Sequence, residues 1–189
     1  ENTKYDMKKV IYIIFATLLF TSCAQEFNAV YKHTDYEYKY EFAKQCFARE
    51  KYTQASTLLG ELITIFKGTD RAEESLYIYA MSLYKDGDYE AASDAFKRCY
   101  TSYPKGMYTE SAYFYAAESL YESSPEPRLD QTPTMAAIKA YQDFLDIFPH
   151  TKRRSETHER MIALQDKLVM KEYHSAKLYY NLGSFDKMR

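Results

Sequence analysis

The stretch YIYAMSLYKDGDYEAASDAF, from Tyr77 to Phe96, decides the fold of this chain. Its apolar residues recur at helical spacing on both sides of Lys85–Asp88, a polar segment typical of a turn, in which Asp88 is a candidate N-cap. The pattern predicts two amphipathic helices joined by a short turn. Alanine at Ala80 and Ala92 indicates that the two helices approach closely, because a bulkier side chain there would overpack the contact.

The same pattern recurs along the chain at a constant stride. Small residues at Ala43, Ala80 and Ala117 are separated by 37 and 37 residues. Two aromatic columns keep this stride. They are Tyr40, Tyr77 and Phe114, and Phe47, Tyr84 and Tyr121. Several columns that share one period predict a stack of similar helix pairs.

The repeating unit resembles the tetratricopeptide repeat, which combines small residues, a Gly-x-Tyr turn and a closing proline over about 34 residues. We therefore expect an all-α solenoid of antiparallel helix pairs over residues 36–189. A fourth unit starts without a recognisable second helix, so we expect the sequence to be part of a longer protein. The expected repeats are near 36–68, 73–105 and 110–150, with a partial fourth at 169–189.

The N-terminal region has the layout of a bacterial lipoprotein signal. Residues 7–22 combine two lysines, a short apolar run and small residues directly before Cys23. We interpret residues 1–6 as upstream sequence, 7–22 as a signal peptide, and 23–35 as a lipidated cysteine with its tether. An acylated cysteine would hold the protein on a membrane without a spanning helix. A plain signal peptide, or a buried helix with a chance cysteine, is the alternative.

Composition and motifs favour a protein without catalytic chemistry. The net charge of −2 gives no electrostatic reason to expect a nucleic-acid partner. The sequence has no glycine-rich phosphate loop, no GxSxG motif and no histidine or cysteine pair at zinc-ligand spacing. We therefore expect no catalytic residue, no metal and no cofactor. Cys46 and Cys99 lie in helical apolar patterns, where buried thiols are expected rather than a disulfide.

In such solenoids the first helices of successive pairs line a concave groove, which usually holds an extended peptide or a partner's helix. Aromatic residues suit this task because they bury a large area at a low entropic cost. The alternative is that many of these side chains only pack neighbouring repeats. The candidate groove residues are Tyr40, Lys44, Phe47, Tyr77, Met81, Tyr84, Phe114, Glu118 and Tyr121.

Two segments are more specific than the repeat itself: RLDQTPTMAAIKAYQDFLDIFP at 128–149 and ERMIALQDKLVMKEYHSAKLYYNLGSF at 159–185. They resemble the BamD family of outer-membrane assembly lipoproteins in the Asp-Gln-Thr segment at Asp130 and in the tyrosine pair at Tyr179. The resemblance implies a non-enzymatic subunit of the β-barrel assembly complex, anchored by lipid on the periplasmic face of the outer membrane.

The same resemblance implies the partners. The N-terminal repeats would receive extended segments of unfolded outer-membrane proteins, and the C-terminal repeats would dock the barrel subunit beside other assembly lipoproteins. The docking residues that it implies here are Glu172, Tyr179 and Tyr180.

Two other classes of lipoprotein carry helical repeats. An adaptor of envelope maintenance or division, bound to peptidoglycan or division factors, would be expected to have a heptad segment, and none precedes the repeats. A glycan-binding nutrient-uptake lipoprotein would be expected to have tryptophan platforms, and the sequence contains no tryptophan. Both classes therefore fit the sequence less well than the assembly lipoproteins.

Overall fold

In the computed structural model, residues 26–183 are described, and within them the chain is helical with no strand. A short helical segment at residues 26–31 precedes seven longer helices. The sequence-based prediction of an all-α protein is confirmed. The longer helices are α1 (Tyr36–Ala48), α2 (Tyr52–Ile65), α3 (Ala72–Asp86), α4 (Tyr89–Ser102), α5 (Thr109–Glu122), α6 (Thr132–Ile147) and α7 (Arg154–Asn181).

The helices pack in the order of the sequence. Each one contacts the next along the chain, and α1 also contacts α3. This arrangement is that of a tetratricopeptide-like solenoid, in which each unit touches mainly its neighbours. The repeating alanines are fully buried, as the close helix approach requires. They are Ala43, Ala55, Ala80, Ala92, Ala117 and Ala137.

The turn between α3 and α4 has the geometry that its sequence predicts. Gly87 ends α3 with a φ of 87°, a left-handed conformation that strains residues with a side chain. The Asp88 carboxylate accepts a hydrogen bond from the Ala91 amide at 3.3 Å, so the predicted N-cap is confirmed. These two residues stop one helix and start the next within one turn.

The hydrophobic core extends through all three repeats. It divides into three clusters of buried side chains, and each cluster centres on one helix pair. The partly buried rings of Phe47 and Tyr79 contact the first and second clusters, and Tyr115 contacts the second and third. Cys46 and Cys99 are buried thiols that no disulfide joins. Burial raises the pKa of Cys99 to about 12, so this thiol stays protonated at neutral pH.

The loop between α5 and α6 is ordered by side-chain hydrogen bonds. The Gln131 amide donates to two carbonyl oxygens of this loop, and the Thr134 hydroxyl donates back to Gln131 at 2.7 Å. Lys167 of α7 donates to the Ser124 carbonyl at 3.1 Å. Helix α6 starts at Thr132, the last residue of the Asp-Gln-Thr segment. The inserted loop therefore packs against α7 instead of projecting away from the repeats.

Helix α7 runs without a break over 28 residues. The residues before position 169, where the fourth unit is expected to start, and the first helix of that unit are therefore one element. Only Thr157 and Leu164 are buried in it. Among residues 26–183, no helix is both long and apolar enough to cross a bilayer. The predicted signal peptide, Cys23 and the last residues of the fourth unit lie outside the described residues.

Candidate binding surface of the first helices

The nine predicted groove residues lie at two depths on α1, α3 and α5. Four are buried, with exposed fractions of 0% for Tyr40, 7% for Met81, 1% for Phe114 and 3% for Glu118. These side chains pack in the interior of the chain. The other five are half-buried, so part of each side chain reaches the surface. We call these five residues the first-helix stripe: Lys44, Phe47, Tyr77, Tyr84 and Tyr121.

Two aromatic residues of the stripe are held in the same way by their own repeats. Phe47 meets Tyr52 edge to face, with ring centroids 5.6 Å apart, and Tyr84 meets Tyr89 in the same geometry at 5.6 Å. In both repeats the partner is the first residue of the second helix. Such pairs favour an edge-to-face arrangement and fix both rings. The stripe therefore presents aromatic side chains that are already ordered.

The third repeat replaces this pair by a polar network. The Arg160 guanidinium of α7 lies 4.6 Å from the Tyr121 ring centroid, and its Nε donates to the Glu118 carboxylate at 3.1 Å. The buried Tyr141 hydroxyl donates a second hydrogen bond to Glu118. Burial and this hydrogen bond raise the pKa of Tyr141. Glu118 therefore joins α5, α6 and α7, although the sequence predicts it as a groove residue.

A second set of contacts connects neighbouring repeats. The residue at the N-cap position of each following first helix lies over the first aromatic ring of the preceding one. The guanidinium carbon of Arg71 lies 5.2 Å from the Tyr40 ring centroid, and that of Arg153 lies 4.3 Å from the Phe114 ring centroid. The ring centroids of Tyr108 and Tyr77 are 4.5 Å apart. Sequence reasoning missed these covering residues, although Arg71 and Tyr108 share the 37-residue stride.

Carboxylates at the start of the first helices support the same junctions. Glu37 pairs with Arg71 at 3.2 Å, and Glu73 accepts a hydrogen bond from the Tyr108 amide at 2.7 Å. Gly106 leaves space for this carboxylate, because a β-carbon at that position would collide with Glu73. Lys44, the first residue of the stripe, forms an ion pair with Glu74 of the next repeat, with 3.5 Å between its Nζ and the Glu74 Oε1. The first helices α1, α3 and α5 are therefore tied to one another at the starts of α3 and α5.

The stripe tyrosines predict a stability change at alkaline pH. Burial raises the pKa of Tyr77 and that of Tyr84 to about 12. Because these values lie above the ordinary 10, the associated stability is present below pH 10 and is lost as the pH rises towards 12. We expect unfolding to begin in this window, as followed by tyrosinate absorbance and circular dichroism. Phenylalanine at both positions should make the loss of stability with rising pH less steep. An unchanged dependence of stability on pH would contradict the prediction.

The predicted docking residues lie on the second half of α7. Glu172 is exposed, Tyr179 is half-buried and Tyr180 is 62% exposed. Large apolar side chains around them are also exposed. These are Val169, Met170, Tyr173, Leu178 and Leu182. Within residues 26–183, no three side chains of the histidine, cysteine, aspartate or glutamate type are grouped closely enough to hold a metal ion.

The fold and the stripe define a tetratricopeptide-like helical-repeat protein that presents ordered aromatic side chains on its first helices. Residues 32–185 match the family described as YfiO, outer membrane lipoprotein, and the chain belongs to this family. The resemblance to BamD proteins that the sequence predicts is confirmed.

Curated relatives carry the name outer membrane protein assembly factor BamD. The protein of Neisseria meningitidis is 25% identical over 195 residues, which cover 95% of this chain and 73% of the relative. The protein of Rickettsia prowazekii is 24% identical over 131 residues, which cover 69% of this chain and 52% of the relative. The match therefore spans about half the length of the Rickettsia protein.

Proposed function

We propose that this chain is a non-enzymatic, lipid-anchored subunit of the outer-membrane β-barrel assembly complex, facing the periplasm. Its membership of an outer membrane lipoprotein family and the names of its relatives support this role. The lipid would be attached to Cys23. The partners would be the barrel subunit, other assembly lipoproteins and unfolded barrel substrates.

The first-helix stripe would hold an extended segment of an unfolded barrel protein. The observation that carries this proposal is the repetition of a half-buried aromatic side chain every 37 residues, at Phe47, Tyr84 and Tyr121. A strand of an outer-membrane barrel alternates apolar and polar residues and is rich in aromatics near its ends. Rings already fixed by packing lose little entropy when such a segment binds. Folding of the substrate in the membrane would supply the driving force.

Peptide binding tests the stripe directly. We expect Tyr84→Ala to raise the dissociation constant of a labelled peptide from a barrel's C-terminal strand by about tenfold, the effect of losing one anchoring aromatic. Fluorescence anisotropy measures this constant, with a peptide of scrambled order as the reference for non-specific binding. Circular dichroism should show unchanged helicity, because the fully buried alanines stay in place.

The matched control is Tyr113→Ala. Tyr113 is also a half-buried tyrosine on a first helix, but its ring stacks on Tyr100 of α4 at 3.7 Å. Tyr113 lies outside the stripe and the face of its ring is covered by Tyr100, so its removal should leave peptide affinity unchanged. Equal losses in the two variants would mean that general destabilisation, rather than the stripe, determines binding.

The exposed second half of α7 would dock the barrel subunit through Glu172, Tyr179 and Tyr180. A photo-reactive amino acid at Tyr180, which is 62% exposed, should crosslink to a large β-barrel protein in cells. The same amino acid at Lys139, exposed on α6, is the control position. Recovery of cell-wall or division factors alone would favour the adaptor alternative.

The lipid anchor has its own test. Cys23→Ser should move the protein from the outer-membrane fraction to the periplasmic fraction, because a serine cannot carry the thioether-linked lipid. Gln25→Ser, two residues further on, should leave the fractionation unchanged. Immunoblots of separated membranes measure the distribution. Continued outer-membrane fractionation of the Cys23→Ser protein would contradict the anchor.

A further inference from the structure

The segment that follows Cys23 is docked on the first repeat. Residues 26–31 are helical, and Val30 is only 2% exposed because it belongs to the buried cluster of α1 and α2. Phe27 packs against the same cluster. Part of the tether expected over residues 23–35 is therefore a fixed element of the fold.

A buried lysine strengthens this docking. Lys39 is 3% exposed, and its ammonium group lies 2.9 Å from the Glu61 carboxylate of α2. The Tyr31 ring centroid is 5.7 Å from this ammonium group, and that of Tyr36 is 5.8 Å from it. A partly desolvated ammonium is attracted to the faces of such rings. Tyr31, at the end of the docked segment, and Tyr36, at the start of α1, are thus held on the same side of the molecule.

The distance from Cys23 to this docked segment is short. Only Ala24 and Gln25 separate Cys23 from Glu26, the first described residue. Three residue steps span at most about 11 Å even in a fully extended chain. A lipid on Cys23 would therefore place the docked segment beside the headgroups of its bilayer.

The surface at this end suits a membrane interface. Tyr31, Tyr36 and Tyr38 are 47%, 43% and 48% exposed. Tyrosine is favoured where membrane meets water, since its ring is apolar and its hydroxyl is polar. Charges of both signs surround these tyrosines: Lys32 and Asp35 are exposed, and Glu37 is paired with Arg71. The exposed rings, rather than a net charge, therefore suit this surface to a membrane interface.

We propose that this tyrosine surface, formed by Tyr31, Tyr36 and Tyr38 with Lys32, rests on the phospholipid bilayer that holds the lipid of Cys23. The inference rests on the lipid anchor of the proposed function. It implies that the first repeat has a fixed orientation on the membrane. Phe47, the first aromatic of the stripe, lies 11 residues beyond Tyr36 on α1. At 1.5 Å per residue, this first aromatic of the stripe lies about 16 Å along the helix from Tyr36.

Tryptophan fluorescence tests the contact, because the chain contains no tryptophan of its own. The mature chain from Cys23 is coupled through that thiol to a maleimide phospholipid, while Cys46 and Cys99 are protected by burial. The vesicles contain phosphatidylethanolamine with a minority of phosphatidylglycerol and brominated acyl chains. We expect emission to be lost in Tyr36→Trp but not in Met107→Trp, a position 84% exposed between α4 and α5. Equal quenching in the two variants would overturn the inference.

A second pair of variants tests the docked segment. Val30→Asp should undock it and reduce the quenching of Tyr36→Trp, since a charge is costly at a buried position. Asn28→Asp adds the same charge at an exposed position of the segment and should leave quenching unchanged. Equal quenching in the two would overturn the inference. Because chemical coupling supplies the anchor, this outcome does not depend on whether cells lipidate Cys23, which the fractionation of Cys23→Ser decides separately.

Discussion

Replacing Leu164 by alanine is expected to lower the free energy of unfolding by about 2–5 kcal/mol, the usual range for deleting a fully buried leucine side chain. Leu164 is 0% exposed and packs in the cluster that contains Tyr141 and Phe144. It is one of only two buried residues in the 28 residues of α7. Few other apolar contacts hold this helix to the third repeat, so the loss should be concentrated there.

Urea unfolding followed by circular dichroism measures the global loss, and amide hydrogen exchange locates it. We expect faster exchange in α7 and unchanged exchange in α1 and α2, because a solenoid loses contacts mainly between neighbours. Ile162→Ala is the control, since Ile162 is 57% exposed on the same helix and should change stability by less than about 0.5 kcal/mol. A uniform rise of exchange along the chain would show that α7 unfolds only together with the whole.

The helix pairs could be predicted from sequence because their causes are local. The spacing of Tyr77, Ala80 and Tyr84 marks one helix face, and Gly87 with Asp88 marks its end. The constant stride then extends this local pattern to the other repeats. The alanines specify the contact between helices, since a stack of bulky residues could not approach so closely.

The depth of individual residues could not be predicted in the same way. Tyr40 and Phe47 lie seven residues apart on one face of α1, yet Tyr40 is fully buried and Phe47 is half-buried. The difference comes from residues distant in sequence, such as Arg71, whose guanidinium lies over the Tyr40 ring. In the third repeat the inserted loop lengthens the step from Tyr108 to Arg153 to 45 residues, which hides the equivalent pair from a search at constant period.

Glu118 shows a second reason why the burial of a residue could not be predicted from the sequence. A glutamate among aromatics on a helix face is normally solvent-exposed, because burying a carboxylate without a partner is unfavourable. Its partner Arg160 is 42 residues away on a helix whose packing the repeat pattern does not specify. The groove prediction therefore included Glu118, whereas the structure uses it to join α5 to α7.

Arg160→Met is expected to lower the free energy of unfolding by about 3 kcal/mol, the lower end of the range for breaking a buried ion pair. Methionine keeps an apolar stem over Tyr121 but removes the guanidinium from the Glu118 carboxylate, whose side chain is only 4% exposed. Among the described residues, the Tyr141 hydroxyl still donates a hydrogen bond to that carboxylate. The Arg160 side chain keeps 35% of its surface exposed, so solvent screens part of the interaction and the lower end of the range applies.

A double-mutant cycle with Glu118→Gln separates charge from packing. Glutamine still accepts the Tyr141 hydrogen bond but is neutral, so the double variant should be more stable than Arg160→Met alone by at least about 1 kcal/mol. Glu122→Gln, on the exposed side of α5, is the control. It should change the free energy of unfolding of the unaltered protein and of Arg160→Met by less than about 0.5 kcal/mol each. Urea unfolding of the four proteins gives the coupling energy. If the two substitutions simply add, the ion pair does not hold α7, and the stability of that helix depends on its other contacts, among them those of Leu164.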